Sequence, residues 1–115
     1  IVGPGFESIR NIGDKNRNIV HLKHSKGIDI NIANISDMLG GFGLISLMGT
    51  KSGIQIKSTD TYYAFKKQLQ SYVNYLQTGH KPVPWNETYE LMQLVSAGIE
   101  SREKDGMKIT LNKDK

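Results

Sequence analysis

The sequence predicts an α+β domain, with an open, mainly antiparallel sheet of about four to six strands and two helices packed on one face. Three observations carry that expectation. Two stretches in the first half alternate apolar and polar residues around short turns, two stretches in the second half repeat apolar residues at helical spacing, and the second of these ends in a further alternating run. Hairpins pair strands antiparallel, and a helix pair that ends in a strand needs a sheet to join. The uncovered sheet face must then be solvated or buried against a partner.

Residues 1–17, rich in Gly, Asn and charge, read as a poorly specified lead-in. Gly3-Pro-Gly5-Phe-Glu-Ser8 is superficially like a dinucleotide-binding glycine loop, but only two residues precede it as a strand, and Asn11, Gly13 and Asp14 follow where a helix is required. Gly41-Phe-Gly43-Leu-Ile-Ser46 fails the same test because its sequel alternates like a strand. Both read as turns. From Asn18 the pattern becomes extended: Val20 and Leu22 alternate with Ile19, His21 and Lys23, Ser25-Lys-Gly27 supplies a turn, and Ile28, Ile30 and Ile32 alternate with Asp29, Asn31 and Ala33. After a glycine-rich connection, Leu44–Met48 and Ile54–Lys57 form a second pair around Gly49-Thr-Lys-Ser-Gly53.

In the first helix Tyr62, Phe65, Leu69, Val73 and Leu76 recur at three- and four-residue steps, the signature of a face turned to a core. Asp60 is placed to accept first-turn amides, and Gly79 can take the left-handed conformation that ends a helix. Leu69→Ala is accordingly expected to cost roughly 2–5 kcal/mol. Pro82 and Pro84 stop the helix from running on. Asn86 is the candidate cap of a second helix starting near Glu87, whose apolar surface draws on Leu91, Met92, Leu94, Val95 and Ile99, with Gly98 permitting a close approach. Gly106 ends it. Met107, Ile109 and Leu111 then alternate with Lys108, Thr110 and Asn112, the period of a half-buried strand. The expected organisation is one domain over 18–111, with 112–115 a frayed tail.

Composition narrows the function classes. The 115 residues suffice for one domain burying roughly two-thirds of its unfolded surface. There is no cysteine, so disulfides and thiolate metal sites are excluded, while the compartment stays open with the cytoplasm slightly favoured. No apolar run approaches the roughly 20 residues of a membrane span, and no membrane partner is expected. The chain begins with isoleucine, as an excised piece of a longer protein would. The net charge of +4 is spread as +3 over residues 1–57 and +1 over 58–115. Its densest part is Lys15, Arg17, Lys23 and Lys26 with His21 and His24 between them. A solvated sheet edge accounts for such charges, and in the absence of a recognised binding motif no nucleic-acid partner is expected.

Catalytic chemistry finds no constellation. His21 and His24 fall on opposite faces of a strand and cannot share an ion, His80 stands apart, and Glu87 and Glu90 read as solvated charges on a helix. Tyr62, Tyr63, Tyr72, Tyr75, Tyr89 and Trp85 could stack on a sugar or base, but at helical spacing they are read chiefly as packing residues.

The segment from Tyr62-Tyr-Ala-Phe-Lys-Lys-Gln-Leu to Thr78-Gly79, then Lys81-Pro-Val-Pro84, a helix, and Ser101-Arg-Glu-Lys-Asp-Gly-Met-Lys-Ile-Thr-Leu111, resembles the C-terminal end of the glucose-fructose oxidoreductase and inositol dehydrogenase family (Gfo/Idh/MocA). Gly49-Thr-Lys-Ser-Gly-Ile-Gln-Ile56 is similar to the family's strand pair before that helix. The resemblance covers residues 44–111 and, loosely, 18–33. It implies a parent enzyme with an N-terminal Rossmann domain that binds NAD or NADP, moving a hydride to or from a sugar, cyclitol or related hydroxyl compound. It implies that this portion shapes the substrate pocket and supports a homo-oligomer through the open sheet face. The glycine fingerprint, the catalytic Glu-Lys-Pro motif and the downstream Asp and His motif are missing, and Glu103-Lys104-Asp105 only echoes the second. No catalytic, cofactor-binding or metal residue is therefore assigned, and this portion alone is expected to be inactive. The alternative expectation is a stand-alone binding or dimerisation module.

Overall fold

The computed structural model describes residues 2–37, 43–57 and 59–111. The fold is α+β, and the described residues form two helices and six strands whose pairings are antiparallel. It divides into two compact units, one made of residues 1–36 with 83–115 and the other of residues 37–82.

The first unit is built on β1 (Phe6–Gly13), β2 (Arg17–His24) and β3 (Asp29–Ile35), and later receives α2 (Trp85–Glu103) and β6 (Ile109–Thr110). The spatial order is β3-β2-β1-β6, so one of the two inner strands of this sheet comes from the stretch read as a lead-in. Alternation conceals β1: Ser8, Ile9 and Asn11 are all buried, and two of the three are polar. Gly13 lets β1 turn into β2, because its φ of 118° suits glycine and a Cβ there would lie 2.2 Å from the Arg17 carbonyl oxygen. The Asp14 carboxylate completes the turn by accepting the amides of Asn16 and Arg17 at 2.7 and 2.8 Å. The predicted Ser25-Lys26-Gly27 turn joins β2 to β3, with the Gly27 amide donating to the His24 carbonyl at 2.9 Å.

α2 seals one face of this sheet. Ile9, Leu22, Leu94 and Ala97 form the buried core, with Phe6, Val20, Ile30, Ile109 and Leu111 packed around it. The helix begins at Trp85, two residues before the expected start, and Pro84 rather than Asn86 occupies the cap. The expected apolar surface is also corrected: Leu91, Met92, Val95 and Ile99 are exposed, and the buried stripe is Leu94, Ala97, Gly98 and Ser101. Small residues win that face because the sheet comes too close for large ones; a Cβ on Gly98 would stand 3.1 Å from Ile9 Cδ1. The helix stops at Glu103 with Lys104 as its C-cap, two residues before the expected Gly106; Asp105 at φ 53° and Gly106 at φ 77° both follow in the left-handed region, the Gly106 amide donating to the Ser101 carbonyl at 2.8 Å. Only Ile109 and Thr110 of the predicted closing strand pair with β1, opposite Ile9 and Ser8.

The second unit holds the expected hairpin, β4 (Leu44–Met48) with β5 (Gly53–Lys57), and α1 (Thr61–Thr78). Both ends of α1 are as predicted: Asp60 Oδ1 accepts the Tyr63 amide at 2.8 Å, and Gly79 is left-handed at φ 74°. Its packing is not. No α1 residue is buried, and the face assigned to a core is open, with Leu69 48% exposed. The expected cost of Leu69→Ala does not hold for a side chain with that much water around it. The pattern records that the face is apolar; no described residue of this unit is laid against it closely enough to bury it. The glycine-rich connection in part (38–42) and the 112–115 tail lie outside the described residues.

Candidate functional site

The polar groups that the fold brings together lie on the first unit. On the face of the sheet opposite α2, the register sets Arg10 across from His21, and Lys23 across from Asp29. His21 Nε2 stands 3.1 Å and Lys23 Nζ 2.8 Å from the Asp29 carboxylate. Those hydrogen bonds, that from Lys23 foremost, hold the Asp29 carboxyl below the usual range. Arg10 is fixed from behind by its Nε, which donates to the Gly106 carbonyl at 3.0 Å. Beside Lys23, a surface depression is lined by Glu7, Ser8, Lys108, Thr110 and Leu111. The charges that the sequence reading gives to a solvated sheet edge are therefore partly consumed in one exposed ion-pair group. Such a group orients side chains at small net energy.

His24 lies on the other face of β2, as period-2 alternation requires, and is 1% exposed. Its Nδ1 accepts the Lys26 amide at 3.1 Å, so the ring proton sits on Nε2 and is donated to the Pro4 carbonyl at 3.1 Å. Phe6 meets the ring edge-on at 5.1 Å between centroids. With both nitrogens engaged, this imidazole has no lone pair to offer a metal. Among the described residues no group of three or more His, Asp or Glu side chains is placed to hold an ion.

Glu90 corrects another expectation. Rather than a solvated charge, it is half-buried and accepts the backbone amides of Gly5 and Phe6. Lys26 Nζ donates to the Val2 carbonyl at 2.9 Å, so three side chains from two distant places in the sequence fasten residues 2–6. A signal was present: Glu90 lies one turn before Leu94 on the stripe that α2 buries.

Deeper in the same unit, Ser101 Oγ accepts the Asn11 amide at 2.9 Å and donates to the Met107 carbonyl at 2.6 Å. Asn11 Nδ2 donates to the Gly98 carbonyl at 3.1 Å, leaving its Oδ1 as a buried acceptor with no partner. This network closes β1 where β6 stops. It holds the fold rather than reacting.

The aromatic residues read as packing are in fact mostly outside. Tyr62, Tyr63, Tyr72, Tyr89 and Trp85 are each more than half exposed, and Lys67 Nζ lies 5.6 Å from the centre of the Tyr63 ring. With Leu44, Leu47, Met48, Ile54 and Ile56 of the hairpin also exposed, the 37–82 unit carries an unusual amount of apolar surface. No helix among the described residues is long and apolar enough to cross a membrane. No protein-family model, curated protein or solved structure matches the chain.

Proposed function

We propose that this chain is the C-terminal, substrate-side and subunit-contact portion of an NAD(P)-dependent oxidoreductase acting on a sugar, cyclitol or related hydroxyl compound. The nicotinamide cofactor is held by a separate Rossmann domain, and the portion alone is inactive. The observation that carries this reading is the order of elements: antiparallel hairpin, helix, proline connector, helix, left-handed Gly106, and a closing strand on an antiparallel sheet. That order supports the resemblance stated for residues 44–111. Self-association is assigned to the sheet face opposite α2, where Ile12 and Ile19 pair across strands and are both more than half exposed.

Titration calorimetry of this chain with NAD(H) and NADP(H) is expected to show no binding. Intact-mass analysis of the native protein is expected to find a chain long enough to add a dinucleotide-binding domain. Cofactor binding by the 115 residues alone overturns the division of labour. A native chain of this length favours the second reading, a stand-alone binding or dimerisation module, which the exposed apolar residues of α1 and of the β4–β5 hairpin support.

A further inference from the structure

Strict alternation cannot carry β1 from Phe6 to Ile9. Both side chains pack into the core beneath α2, yet they stand three residues apart, an odd step that alternation would place on opposite faces. A β-bulge resolves the conflict: Phe6 pairs with His24 and Ser8 with Lys23, so Glu7 is an extra residue on its strand. Glu7 and Ser8 therefore share the face away from α2, and both line the depression beside Lys23. A bulge gives up a ladder position to re-aim a side chain, and bulges concentrate beside sites for that reason. Here it sets a carboxylate and a hydroxyl next to the Lys23 ammonium.

The depression offers donors to an oxyanion. Lys23 of β2 and Lys108, just before β6, flank it, and the register sets Ser8 between Thr110 and Lys23 in one row across three strands. Ser8 is 5% exposed, and among the described residues neither its hydroxyl, the Thr110 hydroxyl nor the Lys108 ammonium has a hydrogen-bond partner. An anion with several oxygens satisfies such a set at once. Lys23 already contacts both oxygens of Asp29, and with three protons it keeps at least one for a ligand. Arg10, the next residue on this face of β1, adds positive charge. Glu7 narrows the ligand further. A carboxylate repels bare phosphate but accepts hydrogen bonds from hydroxyls, so the set suits a phosphate that carries a hydroxylated body. A volume of about 340 Å3 holds a small phosphorylated polyol. All of these residues belong to the first unit, so the site is built without the 37–82 unit.

We infer that this depression binds a phosphate monoester of a small polyhydroxylated compound. The phosphate lies between Lys23 and Lys108 over the Ser8 and Thr110 hydroxyls, and a ligand hydroxyl donates to Glu7. The inference does not depend on the oxidoreductase reading, because it uses side chains of the first unit alone. Amide NMR titration of the chain with glucose 6-phosphate, inorganic phosphate and glucose tests it. Glucose 6-phosphate is expected to shift the Glu7, Ser8, Lys23 and Thr110 amides saturably and to bind at least about threefold tighter than inorganic phosphate, while glucose does not bind. Lys108→Gln removes a charged donor and is expected to weaken both phosphates at least about fivefold. Lys15→Gln, an equal loss of charge in the β1–β2 turn, is expected to leave both within about twofold. Glu7→Ala is expected to erase the preference for the ester by weakening glucose 6-phosphate and not inorganic phosphate. All three substituted positions are exposed, and an unchanged spectrum away from the depression confirms that each variant is folded. The absence of a saturable shift with either phosphate overturns the proposal, as does a response centred on residues 14–17, or equal losses in Lys108→Gln and Lys15→Gln. Glucose binding as tightly as its phosphate, or a preference for the ester that survives Glu7→Ala, overturns the ligand assigned to the site.

Discussion

Ser101→Ala removes one oxygen from the first unit and is expected to destabilise it out of proportion to its size. The side chain is fully buried, and its hydroxyl serves two groups at once. Alanine keeps the Cβ and improves helix propensity, so strain and propensity oppose any loss. What remains is the Asn11 amide, buried in β1 beyond the end of β6, with its 2.9 Å acceptor deleted. An orphaned buried donor costs about 1–3 kcal/mol, and the Met107 carbonyl adds less because its residue is half exposed and can recover water. The sum is about 2–3 kcal/mol. For a unit of this size, with a urea m-value near 1 kcal/mol/M, the midpoint should fall by about 2–3 M at unchanged m. Hydrogen exchange gives the local readout: protection of the Asn11 amide should drop more than that of Ile9, whose neighbouring strand is untouched. An unchanged midpoint with Asn11 still protected would refute the reasoning, since water would then be replacing the hydroxyl.

Other perturbations follow from the same geometry. Gly13→Ala should cost on the order of 1–3 kcal/mol, because a Cβ would collide with the Arg17 carbonyl at a backbone angle that suits only glycine; a neutral result in thermal unfolding would mean the β1–β2 turn can rearrange. Leu94→Ala should cost about 2–5 kcal/mol in the first unit, while Leu69→Ala should leave that unit's denaturant midpoint where it was. Glu90→Ala strips the acceptor from two backbone amides, and limited proteolysis should then cut within residues 2–6 sooner than in the parent chain. For acid, Asp14 is held below its ordinary value by the Asn16 and Arg17 amides, and Asp29 by Lys23 and His21. Their folded pKa values are depressed, so their contribution is present above the ordinary carboxylate value near 3.9 and fades as pH falls through the folded value. Both are exposed, so Asp14→Asn and Asp29→Asn should each flatten the stability slope below about pH 4 only slightly, and less in high salt; carboxyl-carbon NMR titrations with midpoints above 4 would reverse the sign.

Local chemistry was legible wherever one residue type answers one backbone need. Asp60 and Gly79 mark helix ends in the sequence because capping amides and left-handed turns admit few substitutes, and Ser25-Lys26-Gly27 marks a hairpin for the same reason. The α2 face was misread because large apolar residues dominate a periodicity, whereas the approach to Ile9 demanded Ala97, Gly98 and Ser101 around a single Leu94. β1 escaped notice because its buried Ser8 and Asn11 are satisfied or sheltered by residues some 90 positions away, which no local window contains. The α1 stripe was correctly seen as apolar. Periodicity says that a face needs cover, but the identity of the cover is not a local property. The His24 and Glu90 contacts with residues 2–6 belong to the same class of distant pairings.

The sheet of the first unit also sets a timetable for synthesis. β1 is made before the Ser101 hydroxyl, the Leu94 side chain and the two residues of β6 that complete its surroundings. At ribosomal rates of about 5–20 residues per second, the β1–β2–β3 meander therefore waits several seconds with Ile9 and Leu22 uncovered while the intervening 37–82 unit is translated. Any codon that slows passage through residues 83–111 lengthens the time for which that inner face is bare.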